Sequence, residues 1–419
     1  MPAINLNQAL SIFVAKPLAG NDLNLYFVAP PGNPLSRMIT DLRAKRQVKV
    51  LFTGHRGNGK STALNYLATQ LQNEFFIVSF SVSTDLGGYD IHYADLLLVM
   101  AAKLLERATD EKLFPRGVKE LVRAELLDDV KRWFEKHIEG LQFIPSSTEK
   151  SLTAQVNYLA VQIEAKVGTE VETRQTLRAR VAMYLAELIE RIRYLIDEME
   201  RKGGRRVLFI VEDIDKLDLA NARDLFLEHA RTLTAPSASI IYTFPVALRY
   251  SVDFTQIMAN FGKRYVWPNV RVSDHQGIPD VQGRDVLKDI FYRRLDRRLI
   301  TTEALDCLIA ASGGLIGTLI RLGDLAAGYA LAENREQIET PDVIQAIAEI
   351  RGDFKVMLRQ QDYDVLRQQL AGEPLRNEDA VREALYTGML LEYQNNDPWM
   401  DVNPIVRPLI ERGQNGSRA

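Results

Sequence analysis

The segment Gly54-His55-Arg56-Gly57-Asn58-Gly59-Lys60-Ser61-Thr62 constrains this chain more than any other. Its spacing fits G-x-x-x-x-G-K-[ST], with the apolar run 48–54 before it and Leu64, Leu67 and Leu71 after it at helical spacing. A loop that leaves a buried strand and enters a helix must fold back on itself. Glycines permit this, and the turn aims several backbone N–H groups and the positive end of the helix dipole at one anion. All nine residues, His55 at the rim included, are expected to cradle phosphates. Lys60 would reach the β- and γ-phosphates, and Ser61 would offer its hydroxyl to Mg²⁺.

Such a loop needs an acidic element on another strand. The apolar run 207–211 delivers Glu212 and Asp213 at its C-terminal end, where open α/β sheets hold their ligands. Glu212 is expected in the metal shell with Ser61, and Asp213 at the position that activates water. Asp215 would hold the next helix or the metal's outer shell. A further strand, 239–245, carries Thr243, whose hydroxyl is expected near the γ-phosphate, orienting the attacking water. The ligands implied are ATP and Mg²⁺.

The rest of the sequence frames this core. Its 419 residues suggest two to three domains, and 46% apolar with 26% charged residues describe an ordinary globular chain. A net charge of -3 speaks against coating nucleic acid by bulk electrostatics. The lone Cys307 leaves no disulfide to form and suits a reducing, cytoplasmic setting. No run is long enough to cross a bilayer, and the N-terminus does not read as a secretion signal. The five histidines lack zinc-hydrolase spacing, and there is no G-x-S-x-G elbow.

Along the chain, a Pro/Gly-broken lead-in precedes a short helix, 35–44, and strand 75–82 follows the loop helix. Strand, loop, helix, strand implies a parallel sheet. Residues 89–203 read as a mostly helical insertion: a helix at 94–108, a helix pair at 117–140, a hairpin at 156–168 and one long striped helix at 174–201. That stripe would pack on the sheet or receive a partner. An amphipathic helix, 220–233, and a strand within 261–272 follow. Residues 283–350 form a helical unit. The segment 357–412 runs helix, helix, hairpin, helix, the outline of a winged helix. The fold class expected is α/β: a P-loop parallel-sheet core at 1–275 with its helical insertion, a helical lid at 276–352, and a winged-helix-like domain at 353–419.

The order GxxxxGKST, helical region, hhhhEDxD, strand ending in Thr resembles the additional-strand ATPases of the AAA+ class. It is similar above all to their STAND-like and origin-recognition-like branches. Ser312-Gly313-Gly314 before a helix resembles the lid of those families, where a phosphate-sensing Arg follows. Gly317 stands at that position here, and Arg321, one turn on, is the nearest substitute. The resemblance also implies a trans-acting Arg from a neighbouring subunit. The candidates are Arg249, Lys263 and Arg264, with Arg264 chosen. Glu212-Asp213 replaces the family's usual acidic pair, which shifts the geometry and favours slow hydrolysis.

The function implied is a molecular-switch ATPase that couples nucleotide state to self-assembly or to a separate effector, in bacterial antiviral defence. The alternative is a DNA-associated loader or a transposition-type regulator. The stretch 291–299 reads as a basic helix that forms a solvated lid face. The winged-helix segment around Glu378, Asp379 and Glu383 is acidic, so nucleic acid is disfavoured as a partner. Trp399 is expected to pack.

Overall fold

The computed structural model describes residues 2–87, 90–113, 124–137, 160–165, 167, 171–376, 378–394 and 398–415. Five strands form one parallel sheet: β1 (Lys49–Gly54), β2 (Phe75–Ser81), β3 (Arg206–Glu212), β4 (Ser239–Pro245) and β5 (Lys263–Val266). Their spatial order is β2-β3-β4-β1-β5. The loop strand β1 and the acidic strand β3 therefore flank β4, the strand that carries Thr243. This is the α/β P-loop fold expected from the motif order.

The strands read as unbroken apolar runs because both faces of the sheet are covered. Alternate residues go to opposite sides. On one side, Val207, Phe209, Val211, Ile240 and Tyr242 join a cluster with helices Tyr93–Asp110 and Leu185–Gly203. On the other, Leu208, Ile210, Ile241, Val50 and Phe52 pack with helices Leu35–Ala44 and Lys60–Leu71. The loop helix is thus held rigidly over the sheet by Ala63, Leu64, Leu67 and Leu71.

Several sequence expectations are corrected. The long striped helix is two helices, Val171–Met183 and Leu185–Gly203. Leu188, Ile192, Leu195 and Met199 are fully buried in the sheet-side cluster, so this part of the stripe packs on the sheet, one of the two roles expected of it. Within 156–168, the described residues 160–165 and 167 are helical, not a hairpin; their small apolar residues, Ala160 and Ile163, are buried in the same cluster. Of the helix pair at 117–140, Ala124–His137 is a helix and the remainder lies outside the described residues. The amphipathic stretch at 220–233 is broken into Leu219–Arg223, a π-turn at Asp224–Glu228 and Ala230–Thr234. Only Lys263–Val266 of 261–272 is strand.

The lead-in is more ordered than its prolines suggest. It holds helices Leu6–Ile12 and Asn21–Tyr26. Ala3, Leu6, Ala9 and Phe13 belong to the cluster of the helical unit rather than to the sheet, and Phe13 meets Phe291 at 5.0 Å. That unit contains Val281–Tyr292, Thr302–Ser312, Ile316–Ala332 and Thr340–Met357. The C-terminal segment then runs Gln360–Ala371, Glu378–Thr387, antiparallel strands β6 (Leu390–Tyr393) and β7 (Trp399–Val402), and Arg407–Asn415. Leu366, Ala384, Leu385, Leu390 and Ile410 form a core that this segment shares with Val246 and Ala247, just past β4. Trp399 packs as expected, stacked on Tyr393 at 4.6 Å. No described helix is long and apolar enough to cross a membrane.

The Ser312-Gly313-Gly314 turn joins three parts of the molecule. Val270, past the end of β5, donates its N–H to the Gly314 carbonyl at 3.3 Å, and Tyr393 Oη of β6 donates to the Gly313 carbonyl at 2.8 Å. Gly314 has φ +79°, and a Cβ there would lie 1.6 Å from the Val270 carbonyl oxygen. Gly314→Ala is expected to cost about 2–4 kcal/mol through backbone strain and collision. Gly328→Ala, at a helical glycine with open space around it, is expected to gain about 0.5–1 kcal/mol. Urea unfolding midpoints of the two variants check both signs.

Candidate nucleotide-binding site

Between β1 and its helix, the loop turns through two left-handed glycines, Gly57 (φ +78°) and Gly59 (φ +96°). Gly54 needs its missing Cβ for a different reason. A Cβ there would lie 2.6 Å from both Asn58 Nδ2 and the Trp267 carbonyl oxygen. The loop borders a cleft of about 470 Å³ between the sheet core, the lead-in and the helical unit. That volume lies within the range of small-molecule sites.

At the cleft floor, Lys60 is buried. Its ammonium lies 2.9 Å from Asp215 Oδ2 and donates to the carbonyls of Gly54 (2.9 Å) and His55 (2.8 Å). Burial alone would raise the Asp215 carboxyl. Lys60 and a hydrogen bond from Thr243 outweigh it, and the group sits below the usual carboxylate range. Thr243 Oγ1 also accepts the Ile214 N–H at 3.1 Å. The Thr243 hydroxyl is therefore occupied in shaping the turn after β3 instead of facing open space. Asp215 is the acidic residue nearest the phosphate-loop lysine, a role the residue order gave no reason to choose.

Glu212 and Asp213 differ in environment. Burial pushes the Glu212 carboxyl up to about 7, with Asp213 and Asp215 adding to the rise, while a hydrogen bond from Ser61 and the charge of Lys216 oppose it. Asp213 takes a left-handed backbone conformation, φ 68°, uncommon for a residue with a side chain. Its carboxylate accepts from Ser81 Oγ at the end of β2 (2.7 Å) and meets Lys216 Nζ at 2.7 Å. Asp213 and Asp215 border the cleft. Glu212 reaches it through Ser61. Two hard oxygen donors, the Ser61 hydroxyl and the Glu212 carboxyl hydrogen-bonded to it, suit Mg²⁺.

Of the loop residues, Arg56, Gly57, Gly59, Lys60, Ser61 and Thr62 line the cleft, and Arg321 lines its far wall. Three loop residues lie differently from what their place in the motif predicts. The His55 side chain is turned away from the cleft and buried, its Nε2 accepting the Glu392 N–H at 2.7 Å. Burial, with Lys60 and Arg249 adding, holds its pKa at about 4 against the opposing charge of Glu392. Asn58 likewise turns inward: its amide donates to the Trp267 carbonyl at 2.9 Å, and Trp267 Nε1 donates to the Asn58 carbonyl at 2.8 Å. Gly54 lies beneath the loop against Trp267. Arg321 is half-exposed and pairs with Asp353 at 2.9 Å.

Gly317, at the position where an arginine was expected, donates its N–H to the Gly57 carbonyl at 2.6 Å. A Cβ at 317 would lie 2.9 Å from that oxygen. The departure thus has a physical cause: helix Ile316–Ala332 touches the loop backbone there.

The trans-arginine candidates separate clearly. Arg249 is buried against Glu392 at 2.5 Å, and Lys263 pairs with Asp41 at 2.8 Å. Arg264 is exposed on β5, its guanidinium over the Phe254 ring at 5.4 Å. It borders a larger cavity, about 1190 Å³, with Arg37, Arg271 and Trp399, away from its own phosphate loop.

Two contributions to the cleft escaped sequence reading. The lead-in lies along it: Leu18 donates its N–H to Thr62 Oγ1 at 3.0 Å, Asn65 Nδ2 donates to the Leu18 carbonyl at 2.9 Å, and Phe27 stacks on Tyr66 at 4.6 Å. The second is Arg294. The helix expected over 291–299 ends at Tyr292, and the chain turns Arg294 inward instead of leaving it on a solvated face. Arg294 is 6% exposed, lines the cleft, donates to the Ile290 carbonyl at 2.8 Å and lies over Tyr26 at 5.1 Å. Burial lowers its pKa to about 10, and no carboxylate pairs with it among the described residues. A buried cation without a counter-ion at a cleft wall favours an anionic ligand.

No protein-family model matches the sequence, and no curated protein matches it. Among solved structures, a Walker-type ATPase of Pyrococcus abyssi aligns over 96% of this chain and 99% of its own at 13% identity, TM-score 0.47. Cdc6p of Pyrobaculum aerophilum aligns over 96% and 98% at 12% identity, TM-score 0.40. The RuvB Holliday junction branch migration motor of Thermotoga maritima aligns over 95% and 98% at 13% identity, TM-score 0.40. The fold itself rests on the strand order and the loop geometry described above.

The Glu212 environment makes a prediction with a definite sign. Its folded pKa of about 7 exceeds the ordinary value of 4.5, so the folded chain holds a proton that the unfolded chain has released. The stabilisation is complete below the ordinary value and is lost as pH rises toward 7. His55, held at about 4, works in the opposite sense from 6.5 downward. Glu212→Gln isolates the first effect: wild type should lose stability relative to this variant as pH rises from 5 to 8, measured by urea unfolding without nucleotide.

Proposed function

We propose that this chain is an ATPase switch. It binds ATP–Mg²⁺ in the cleft above Lys60, hydrolyses it slowly, and passes the nucleotide state to its helical lid and C-terminal module. The observation that carries the reading is the convergence, at one cleft, of the glycine-turned loop with its buried Lys60, the turn bearing Asp213 and Asp215, and two arginines of the helical unit. In this reading the β- and γ-phosphates take over from Asp215 as partners of Lys60, Ser61 and Glu212 hold the metal, and Thr62 borders the phosphates. Mg²⁺, when bound, supplies positive charge to the phosphate oxygens.

Asp213, in its strained backbone and held by Ser81, receives the proton of the attacking water. Thr243 acts through the turn it braces. Arg294 and Arg321 reach the nucleotide from the lid side. The lead-in residues Val14–Leu18 and Tyr26–Val28 wall the base end. Arg264, exposed on the edge strand, is the residue offered to a neighbouring copy.

The organisation into a core (1–275), a lid (276–352) and a winged-helix-like module (353–419) belongs to this proposal, with residues 3–13 seated on the lid. So do assembly with further copies or a separate effector, and a cytoplasmic location. The setting in bacterial antiviral defence follows from the family resemblance alone. The contact between Gly317 and Gly57 favours a switch, because a lid resting on the loop backbone must respond to what the loop holds. The acidic surface of Glu378–Thr387, where Asp379 is 90% exposed, disfavours the DNA-loader alternative.

Titration calorimetry with ATP tests the reading. Lys60→Ala is expected to weaken binding at least a hundredfold and Arg294→Met about tenfold. Asp213→Ala should keep binding within threefold while lowering single-turnover hydrolysis at least a hundredfold. No heat from wild type would overturn the proposal. Size measurement with ATP analogue, ADP and no nucleotide, with and without DNA, separates the two classes: assembly on nucleotide alone is the switch, and assembly only on DNA is the loader.

A further inference from the structure

Two consecutive side chains of the phosphate loop, His55 turned away from the cleft and Arg56 at its edge, end in the C-terminal segment. His55 Nε2 accepts the main-chain N–H of Glu392 at 2.7 Å, in the middle of β6. The Arg56 guanidinium lies 4.1 Å from the ring centroid of Tyr386, on helix Glu378–Thr387, and donates to the Lys216 carbonyl at 2.8 Å. Tyr386 Oη donates to the same carbonyl at 3.2 Å. The loop is thus tied to residues more than three hundred positions away through side chains that phosphate binding itself does not require.

Glu392 is the fixed point of this arrangement. Its side chain is buried and faces three donors: Arg249 Nη1 at 2.5 and 2.7 Å, Tyr250 Oη at 2.6 Å, and Gln394 Nε2. Its carbonyl accepts from Asn269 Nδ2 at 3.1 Å. Arg249 and Tyr250 lie just beyond β4, and Asn269 just beyond β5. One residue of β6 therefore touches the ends of two core strands and the entrance of the phosphate loop. A carboxylate held this way sets the position of its own N–H, and with it the imidazole that N–H holds. The depressed pKa of His55 keeps the ring neutral, with Nε2 free to accept.

We propose that Glu392 is a positioning residue for the phosphate loop. Docked β6 holds the loop entrance in its phosphate-ready shape through His55, so that nucleotide affinity depends on the C-terminal module and the module's docking depends on nucleotide. The inference rests on the nucleotide reading above and adds the route by which the C-terminal module senses it. Coupling between two sites is reciprocal, so the factor by which docking strengthens nucleotide binding is the factor by which nucleotide strengthens docking.

The test uses the full chain with a non-hydrolysable ATP analogue and Mg²⁺, comparing wild type, Glu392→Gln and Tyr250→Phe. Affinity is read by calorimetry, and amide hydrogen exchange is followed at 390–393 and, as a control, in β3. In wild type the analogue should slow exchange at 390–393 at least tenfold. Glu392→Gln should weaken binding about tenfold and reduce that slowing below threefold. Tyr250→Phe, which removes one hydrogen bond and keeps the charge, should weaken binding about threefold. It decides the matter if Glu392→Gln fails to fold.

A residue with only a structural role would lower thermal stability and leave the nucleotide-dependent exchange ratio unchanged. Wild-type affinity in both variants, or hairpin exchange indifferent to bound analogue in wild type, would overturn the proposal. Absence of binding by wild type would instead sink the nucleotide reading, and this inference with it.

Discussion

A buried ammonium beneath a glycine-turned loop is the constraint on which the rest of this structure depends. Lys60 is 6% exposed, and an isolated charge at that depth is costly, so the fold surrounds it with two carbonyls and the Asp215 carboxylate. Asp215 can stand there because the chain after β3 turns sharply at Asp213, and because Thr243 of the neighbouring strand holds both the turn and the carboxylate. The sheet order makes this possible by placing β4 between β1 and β3. Removing one partner of such a buried pair typically costs about 3–5 kcal/mol. In the proposed function, a triphosphate entering the cleft would replace Asp215 as the partner of Lys60.

The loop also lies where several packed units meet. Its glycine at 57 meets helix Ile316–Ala332 through Gly317, its arginine at 56 meets Tyr386 of helix Glu378–Thr387, and its histidine at 55 meets β6. Contacts on three sides leave little freedom to reshape the loop independently. In the proposed switch, a change of ligand at Lys60 would therefore be felt by these neighbouring elements. Arg294 adds a fourth link, because it follows helix Val281–Tyr292 and brings into the same cleft a charge that no carboxylate pairs with among the described residues.

Legibility in the sequence followed how local the determining physics was. The phosphate loop, the acidic strand end and the helix–helix–hairpin–helix ending were legible because periodicity, glycines and flanking apolar runs act over a few residues. The striped helix was legible as a stripe, but not its break at Tyr184 or its burial on the sheet, because a stripe does not say what covers it. The strand Lys263–Val266 was over-extended, since apolar residues past its end, Trp267, Val270 and Val272, are buried in loop conformation beside the phosphate loop and the lid. Arg294 was misread because its neighbours Arg293, Arg297 and Arg298 do lie toward solvent, and only the end of the helix at Tyr292 turns it inward.

By itself the sequence determined that this chain carries a phosphate loop on a doubly covered parallel sheet, with acidic residues at the neighbouring strand end. Those features arise from residue spacing and the alternation of side chains along strands, which any folded arrangement must honour. Only the tertiary structure decided that Asp215 faces Lys60, that His55 faces Glu392, and that Gly317 rests on Gly57. Each of these pairs residues 155 or more positions apart, and such contacts depend on how whole elements pack, which no local pattern encodes.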